Sequence, residues 1–193
     1  MTLFLDENCV AELVTMDDAL IAVEEVFGEV GRGTVTNVPR VRAPLGDGTL
    51  RITAAVLEYR GYYGVKVSST TIFESGAGRV FSLYKSASGE LAAIVQVFAM
   101  GAMRTGAASG IASKYMARPD SAMLGVIGSG RQARTQVAAI GKTLPITEVR
   151  VYSRSAENRQ SFCDAISLPG VTAIPVDTAE AAVRQCDVVV TAT

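Results

Sequence analysis

Histidine is absent from the 193 residues. That single absence removes His-based triads, imidazole metal ligands and a His general base, so proton transfer has to use Lys, Asp, Glu, Tyr, Cys or water. Cysteine is scarce. Cys9, Cys163 and Cys186 are odd in number and far apart, which reads as reduced thiols of a cytoplasmic protein and not as a disulfide frame or a zinc site. With neither His nor clustered Cys, no metal is expected. An excess of charge is missing too. The net charge of −1 and the lack of any basic run with interleaved aromatics argue against nucleic acid as a partner. The first ten residues contain Asp6 and Glu7 and no cationic side chain, which argues against a secretory leader. The longest apolar run, LAAIVQVFAMGAM, is interrupted by Gln96 and is too short to span a membrane. No internal repeat or low-complexity segment is evident.

What is present can build cores. Hydrophobic residues make up 49% and charged residues 19%, enough for one large or two small domains. Residues 2–5 suggest a short strand. The stretch from 14 to 33 then predicts an amphipathic helix, with Thr15 as N-cap and Asp17 and Asp18 in the first turn, where the helix dipole favours anions. Ala19, Ala22, Val23, Val26 and Val30 form its expected apolar face, and Gly31 and Gly33 end it. Between 38 and 97 the texture changes to β-branched, alternating runs separated by Gly-containing turns, predicting an antiparallel or mixed sheet of about five strands. The stretch from 100 to 120 returns to helix. It is crowded with Gly and Ala, and each Gly costs a helix about 1 kcal/mol against Ala, so a backbone or a cofactor is expected to approach it closely. Pro119 and Asp120 mark a boundary. The expected organisation is therefore 1–120 and 121–193.

After 120 the rhythm is strand, helix, strand, helix, which predicts a parallel sheet with crossover helices. About four strands fit, where a full doubly wound dinucleotide sheet wants about six. The last predicted strand runs into Thr193, and the chain is expected to be a fragment of a longer protein. Gly128, Gly130 and Ala133 in LGVIGSGRQA follow a predicted strand and open a predicted helix. That is the context of a dinucleotide fingerprint: Gly128 for the tight turn, Gly130 for backbone approach to the pyrophosphate, Ala133 for helix–strand packing, and the helix N-terminus facing the phosphates. The alternative is an ordinary glycine-rich turn of an α/β protein. At the end of the second strand, where an NAD-selective site carries Asp or Glu, the sequence has Ser153 and Arg154. A guanidinium suits a 2′-phosphate, which favours NADP; the alternative is a solvated residue at the start of a helix.

Three segments together resemble the ornithine cyclodeaminase/mu-crystallin family: RTGAASGIASKYMARPD, IGSGRQA and DVVVTAT, in the family's order. The resemblance implies an α/β protein in which an α+β substrate-binding and dimerisation domain precedes a Rossmann-type parallel-sheet nucleotide domain, here truncated. It implies a homodimer and an NAD(P)-dependent enzyme acting at the α-carbon of a small amino or imino acid, as a cyclodeaminase or an imine or ketimine reductase. The alternative within the family is a non-catalytic nucleotide- or small-ligand-binding protein like mu-crystallin, or an inactive fragment. By the same resemblance, Arg42, Lys66 and Arg104 surround the substrate carboxylate, with Lys66 moving a proton. Arg104, Thr105, Gly128, Ser129, Gly130, Arg131, Gln132, Ser153, Arg154, Ser155 and Thr191 line the cofactor. Arg offers a carboxylate a bidentate fork, and burial beside other cations lowers a lysine pKa as proton transfer requires. On the residues alone, Arg42 and Lys66 would be exposed strand positions. The sequence departs from the family where RITAAV replaces a Pro-containing motif, where Arg79 and Val80 stand near an expected Thr, and where VFAMGAM lacks polar residues. The cyclodeaminases' catalytic Asp corresponds to a position beyond Thr193, so the sequence does not assign cyclodeaminase chemistry.

Overall fold

A computed structural model describes residues 1–70 and 79–193. The chain forms two compact units, one of Met1–Thr15 with Glu24–Gly101, the other of Met16–Val23 with Ala102–Thr193.

The first unit is built on a mixed six-stranded sheet. Its strands are β1 (Leu3–Leu5), β2 (Val35–Leu45), β3 (Gly48–Leu57), β4 (Tyr62–Ser69), β5 (Val80–Lys85) and β6 (Leu91–Gln96), in the spatial order β1-β6-β5-β4-β3-β2. The five strands from β2 to β6 are antiparallel, and the short β1 adds in parallel to β6. The sheet thus has one strand more than the expected five, because residues 3–5 join it. Pro39 and Arg40 lie where the β2 register slips between Val38 and Val41. A proline cannot donate to a ladder, and an edge strand with a bulge is where a sheet tolerates it.

Where the sequence suggested one helix, the structure has two, α1 (Glu7–Leu13) and α2 (Met16–Arg32). Asp6 starts α1: its side chain accepts from the Cys9 amide at 2.8 Å. Glu7 then accepts from the Phe98 and Ala99 amides. Its carboxylate therefore sits at the N-terminus of α3 (Phe98–Met116), where the helix dipole favours a negative charge. The buried stripe of α2 is Ala19 and Leu20, flanked by Met16 and Val23. The expected face was rotated too far, since Ala22 and Val30 are exposed. Gly33, at φ 76°, ends the helix in the left-handed conformation that glycine accepts without strain. Val10 of α1 packs with Ala93, Val95 and Val97 and with Leu5, Phe81 and Leu83, so α1 covers one face of the sheet.

The second unit has a parallel sheet of β7 (Met123–Ile127), β8 (Glu148–Tyr152), β9 (Thr172–Pro175) and β10 (Val188–Thr191), ordered β10-β7-β8-β9. The helices α4 (Arg131–Thr143), α5 (Ala156–Asp164) and α6 (Ala179–Val183) connect the strands. This is the order of the first strands of a Rossmann sheet, with the chain reversing between β7 and β10. Leu124, Val126, Val149, Val151 and Phe162 are wholly buried in its core with Val137 and Ile140. Each such side chain contributes about 1.5–3 kcal/mol. Asp187 closes the first strand's entrance. Its carboxylate accepts from the Ala122 and Met123 amides at 2.8 and 2.9 Å and pairs with Arg118. The two amide bonds, led by Met123, hold its pKa below the usual carboxylate value.

Two glycines of α3 meet the backbone of α4. A Cβ added at Gly106 would lie 2.3 Å from the Thr135 carbonyl oxygen of α4, and one at Gly110 would lie 3.0 Å from the Ala139 Cβ. The Thr143 hydroxyl of α4 donates to the Gly110 carbonyl at 3.1 Å. This packing explains why α3 belongs to the second compact unit from Ala102 on, earlier in the chain than the division expected at residue 120. Among the described residues no helix is long and apolar enough to cross a membrane, and no group of three or more acidic or Cys side chains could hold a metal. The three thiols are free, and burial pushes that of Cys163 up to about 11.

Candidate functional site

The glycine turn lies between β7 and α4. Gly128 has a φ of 117°, and a Cβ there would lie 2.2 Å from the Ala192 carbonyl oxygen. Its amide donates to the Tyr152 carbonyl at 2.8 Å. Gly128 is thus fixed by its own turn and by the end of β10. Gly130 is different. Its φ is −84°, and nothing lies within 4 Å of the position its Cβ would take. It is the N-cap of α4, and no side chain caps that end. Gly130 thus offers the first amides of the helix no capping acceptor of its own, and a helix N-terminus favours anions. Ala133, one turn into α4, is wholly buried in the core, which lets helix and strand approach.

Beside this helix end is a cavity of about 380 Å³, within the range of small-molecule sites. Thr105 of α3 lines it, as do Gly130, Arg131 and Gln132 of the turn and Thr191 at the end of β10. The Oε1 of Gln132 is buried without a hydrogen-bond partner, and a native structure rarely leaves such an atom unsatisfied. A bare Cα beside open space at a helix N-terminus fits the phosphates of a dinucleotide, and the buried Gln132 Oε1, an acceptor, fits a donor such as a ribose hydroxyl. The sequence missed Gln136, which also lines the cavity and accepts from the Ser109 hydroxyl at 2.9 Å. Its position one helical turn after Gln132 was the available signal.

Ser153, Arg154 and Ser155 follow β8 and lead into α5. Ser153 Oγ donates to the Ser155 carbonyl at 3.0 Å, and Ser155 Oγ caps α5 by accepting from the Asn158 amide at 3.1 Å. Both hydroxyls are engaged within the turn. Arg154 is exposed and makes no hydrogen bond or ion pair among the described residues. Ser129 is half-buried in the glycine turn.

The proposed carboxylate cations fall in both units. Arg42 on β2 lies opposite Arg51 on β3, which lies opposite Ser68 on β4. Lys66 is two residues from Ser68, so Arg42, Arg51 and Lys66 share one face of the sheet. Lys66 is opposite Phe81, whose ring lies over Gly64 so closely that a Cβ there would be 2.2 Å away. Lys66 is thus half-buried on the sheet face that carries the core. Arg42 is exposed. Arg104 lies on α3 in the second unit and is exposed.

The family model for ornithine cyclodeaminase/mu-crystallin proteins matches residues 1–193. The chain belongs to this family. An alanine dehydrogenase of Archaeoglobus fulgidus is 36% identical over 197 residues, covering 100% of this chain and 60% of that protein. The solved structure of an archaeal alanine dehydrogenase dimer with bound NAD superposes with a TM-score of 0.91 and 34% identity, over 100% of this chain and 60% of its own. The Thermococcus litoralis Δ1-pyrroline-2-carboxylate reductase, solved with NADH and L-proline, gives a TM-score of 0.88 and 30% identity over 99% of this chain and 62% of its own. The chain spans about 60% of the length of these relatives. It has the family's α/β fold, with a Rossmann-type parallel sheet following an α+β unit.

Proposed function

We propose that the protein is an NAD(P)-dependent enzyme acting at the α-carbon of a small amino or imino acid, with NADP as the preferred coenzyme. The observation that carries this reading is the cradle at the N-terminus of α4, where Gly130 leaves open space beside the cavity and Gln132 Oε1 has no partner. The relatives named above, an alanine dehydrogenase with NAD and an imino-acid reductase with NADH, support it. The nicotinamide supplies or accepts hydride when bound. The α4 amides hold the pyrophosphate, Thr105, Arg131 and Thr191 flank it, and the exposed Arg154 meets the 2′-phosphate. Arg42 and Arg104 hold the substrate carboxylate. Lys66, half-buried on the core face of its sheet, orients the substrate and moves its proton.

The test is a fluorescence titration of the protein with NADPH and NADH. NADPH is expected to bind about ten- to a hundredfold more tightly, the worth of one charge-assisted contact, and Arg154→Ala to erase most of that difference. In the protein, Lys66→Met is expected to abolish coenzyme oxidation with a cyclic imino acid while leaving the coenzyme dissociation constant nearly unchanged. Equal affinities for the two coenzymes would refute the NADP assignment. Full turnover by Lys66→Met would refute the role of Lys66.

A further inference from the structure

Arg159 does something that neither the fold nor the cradle requires. It lies on α5, one helical turn after Ser155. Its Nη1 donates to the Ser153 carbonyl at 3.1 Å, and its Nη2 pairs with Asp177, just beyond β9. The Arg159 side chain is 13% exposed and that of Asp177 92% exposed. The neighbouring turn is tied at three polar groups beside Arg154. The carbonyl of Ser153 is held by Arg159, the hydroxyl of Ser153 by the Ser155 carbonyl, and the hydroxyl of Ser155 by the Asn158 amide. Only the Arg154 side chain is left without a partner.

We infer that Arg159 and Asp177 form a bracket that sets coenzyme preference, with Arg159 as a positioning residue. This rests on the reading that Arg154 meets the 2′-phosphate. The bracket acts in two ways. It fixes the backbone just before Arg154 at the Ser153 carbonyl, so less freedom is lost when the guanidinium closes on a phosphate. It also neutralises Asp177. An unpaired carboxylate beside this turn would repel a phosphate and would offer an acceptor to a ribose hydroxyl, the feature that selects NAD. Paired with Arg159, Asp177 does less of both, and Arg154, Arg159 and Asp177 together carry one net positive charge.

The probes are adenosine 2′,5′-bisphosphate and 5′-AMP, which differ only in the 2′-phosphate, titrated calorimetrically into the protein. The wild-type protein is expected to prefer the bisphosphate by about tenfold or more. Arg159→Gln should lower that ratio by about three- to tenfold with little change for 5′-AMP. An unchanged ratio, or equal weakening of both ligands, overturns the bracket. Asp177→Asn keeps a hydrogen-bond acceptor for Arg159 but removes the negative charge, and provides a second measurement independent of any damage from losing the arginine. Its ratio should rise by about two- to threefold; an unchanged or lower ratio overturns the electrostatic role. A wild-type ratio near one, unaltered by Arg154→Ala, refutes the 2′-phosphate reading itself. A high wild-type ratio that Arg154→Ala abolishes and Arg159→Gln leaves intact refutes the bracket alone.

Discussion

Two glycines two residues apart have opposite reasons to be glycine. At Gly128 both the positive φ and the Ala192 carbonyl exclude a side chain. At Gly130 neither does. Gly128→Ala is therefore expected to lower unfolding free energy by about 1–3 kcal/mol, through strain and overpacking. Gly130→Ala should cost at most about 1 kcal/mol, from the poorer N-cap, while weakening NADPH about tenfold or more by filling the space a phosphate approaches. Chemical denaturation and coenzyme titration on both variants separate the two roles. If Gly130→Ala binds NADPH as the wild type does, the cradle is not where the coenzyme sits. The sequence showed both glycines. Their difference depends on a carbonyl sixty-four positions away and was not legible there. Arg154 was legible from its place after the second strand, whereas Arg159 was not, because its partners Ser153 and Asp177 are joined only by the packing of α5 beside β9.

At the scale of elements, the small-residue helix α3 shows what its composition is for. The sequence suggested that a backbone or a cofactor approaches it, and the backbone of α4 does, at Gly106 and Gly110. Gly106→Ala forces a Cβ into the Thr135 carbonyl, and is expected to cost about 1–3 kcal/mol. Gly101→Ala, in the same helix but facing open space, should gain up to about 1 kcal/mol from helix propensity. Thermal unfolding distinguishes the two, and a stabilised Gly106→Ala would refute the close contact. The alternating strands and the strand–helix rhythm after 120 were legible from periodicity alone. The first helix was not, although Asp6 followed by Glu7 was a start signal, because its seven residues are too few for a period to show. The orientation of α2 was not legible for a related reason: Ala22 and Val30 fit an apolar pattern as well as Leu20 does, and only the packing partner chooses between them.

At the scale of the whole molecule, the sheet of the first unit has a face that α1 does not cover. Phe4, Ile94, Ser82, Val65, Ala54 and Val38 lie in one continuous row across all six strands. Phe4 is 63% exposed, and in the next row Val41 and Val67 are 55% and 44% exposed. An apolar surface of this kind marks an interaction site, and a second copy of the chain is its expected occupant. Light scattering at micromolar concentration should give twice the chain mass. Val41→Lys with Val67→Lys should weaken association at least about tenfold, by placing charges where they would be desolvated. A monomeric wild-type mass would refute the assembly.

The bulge at Pro39 and Arg40 bears on what kind of assembly can form. One rim of this sheet is β2, with prolines at 39 and 44 and a slipped register; the other is β1, three residues long. Neither rim offers a regular row of amide and carbonyl groups to a neighbouring chain, so indefinite strand-by-strand polymerisation is blocked at both ends. A two-fold pair across the apolar face, the assembly that light scattering tests, would consume that face and then stop.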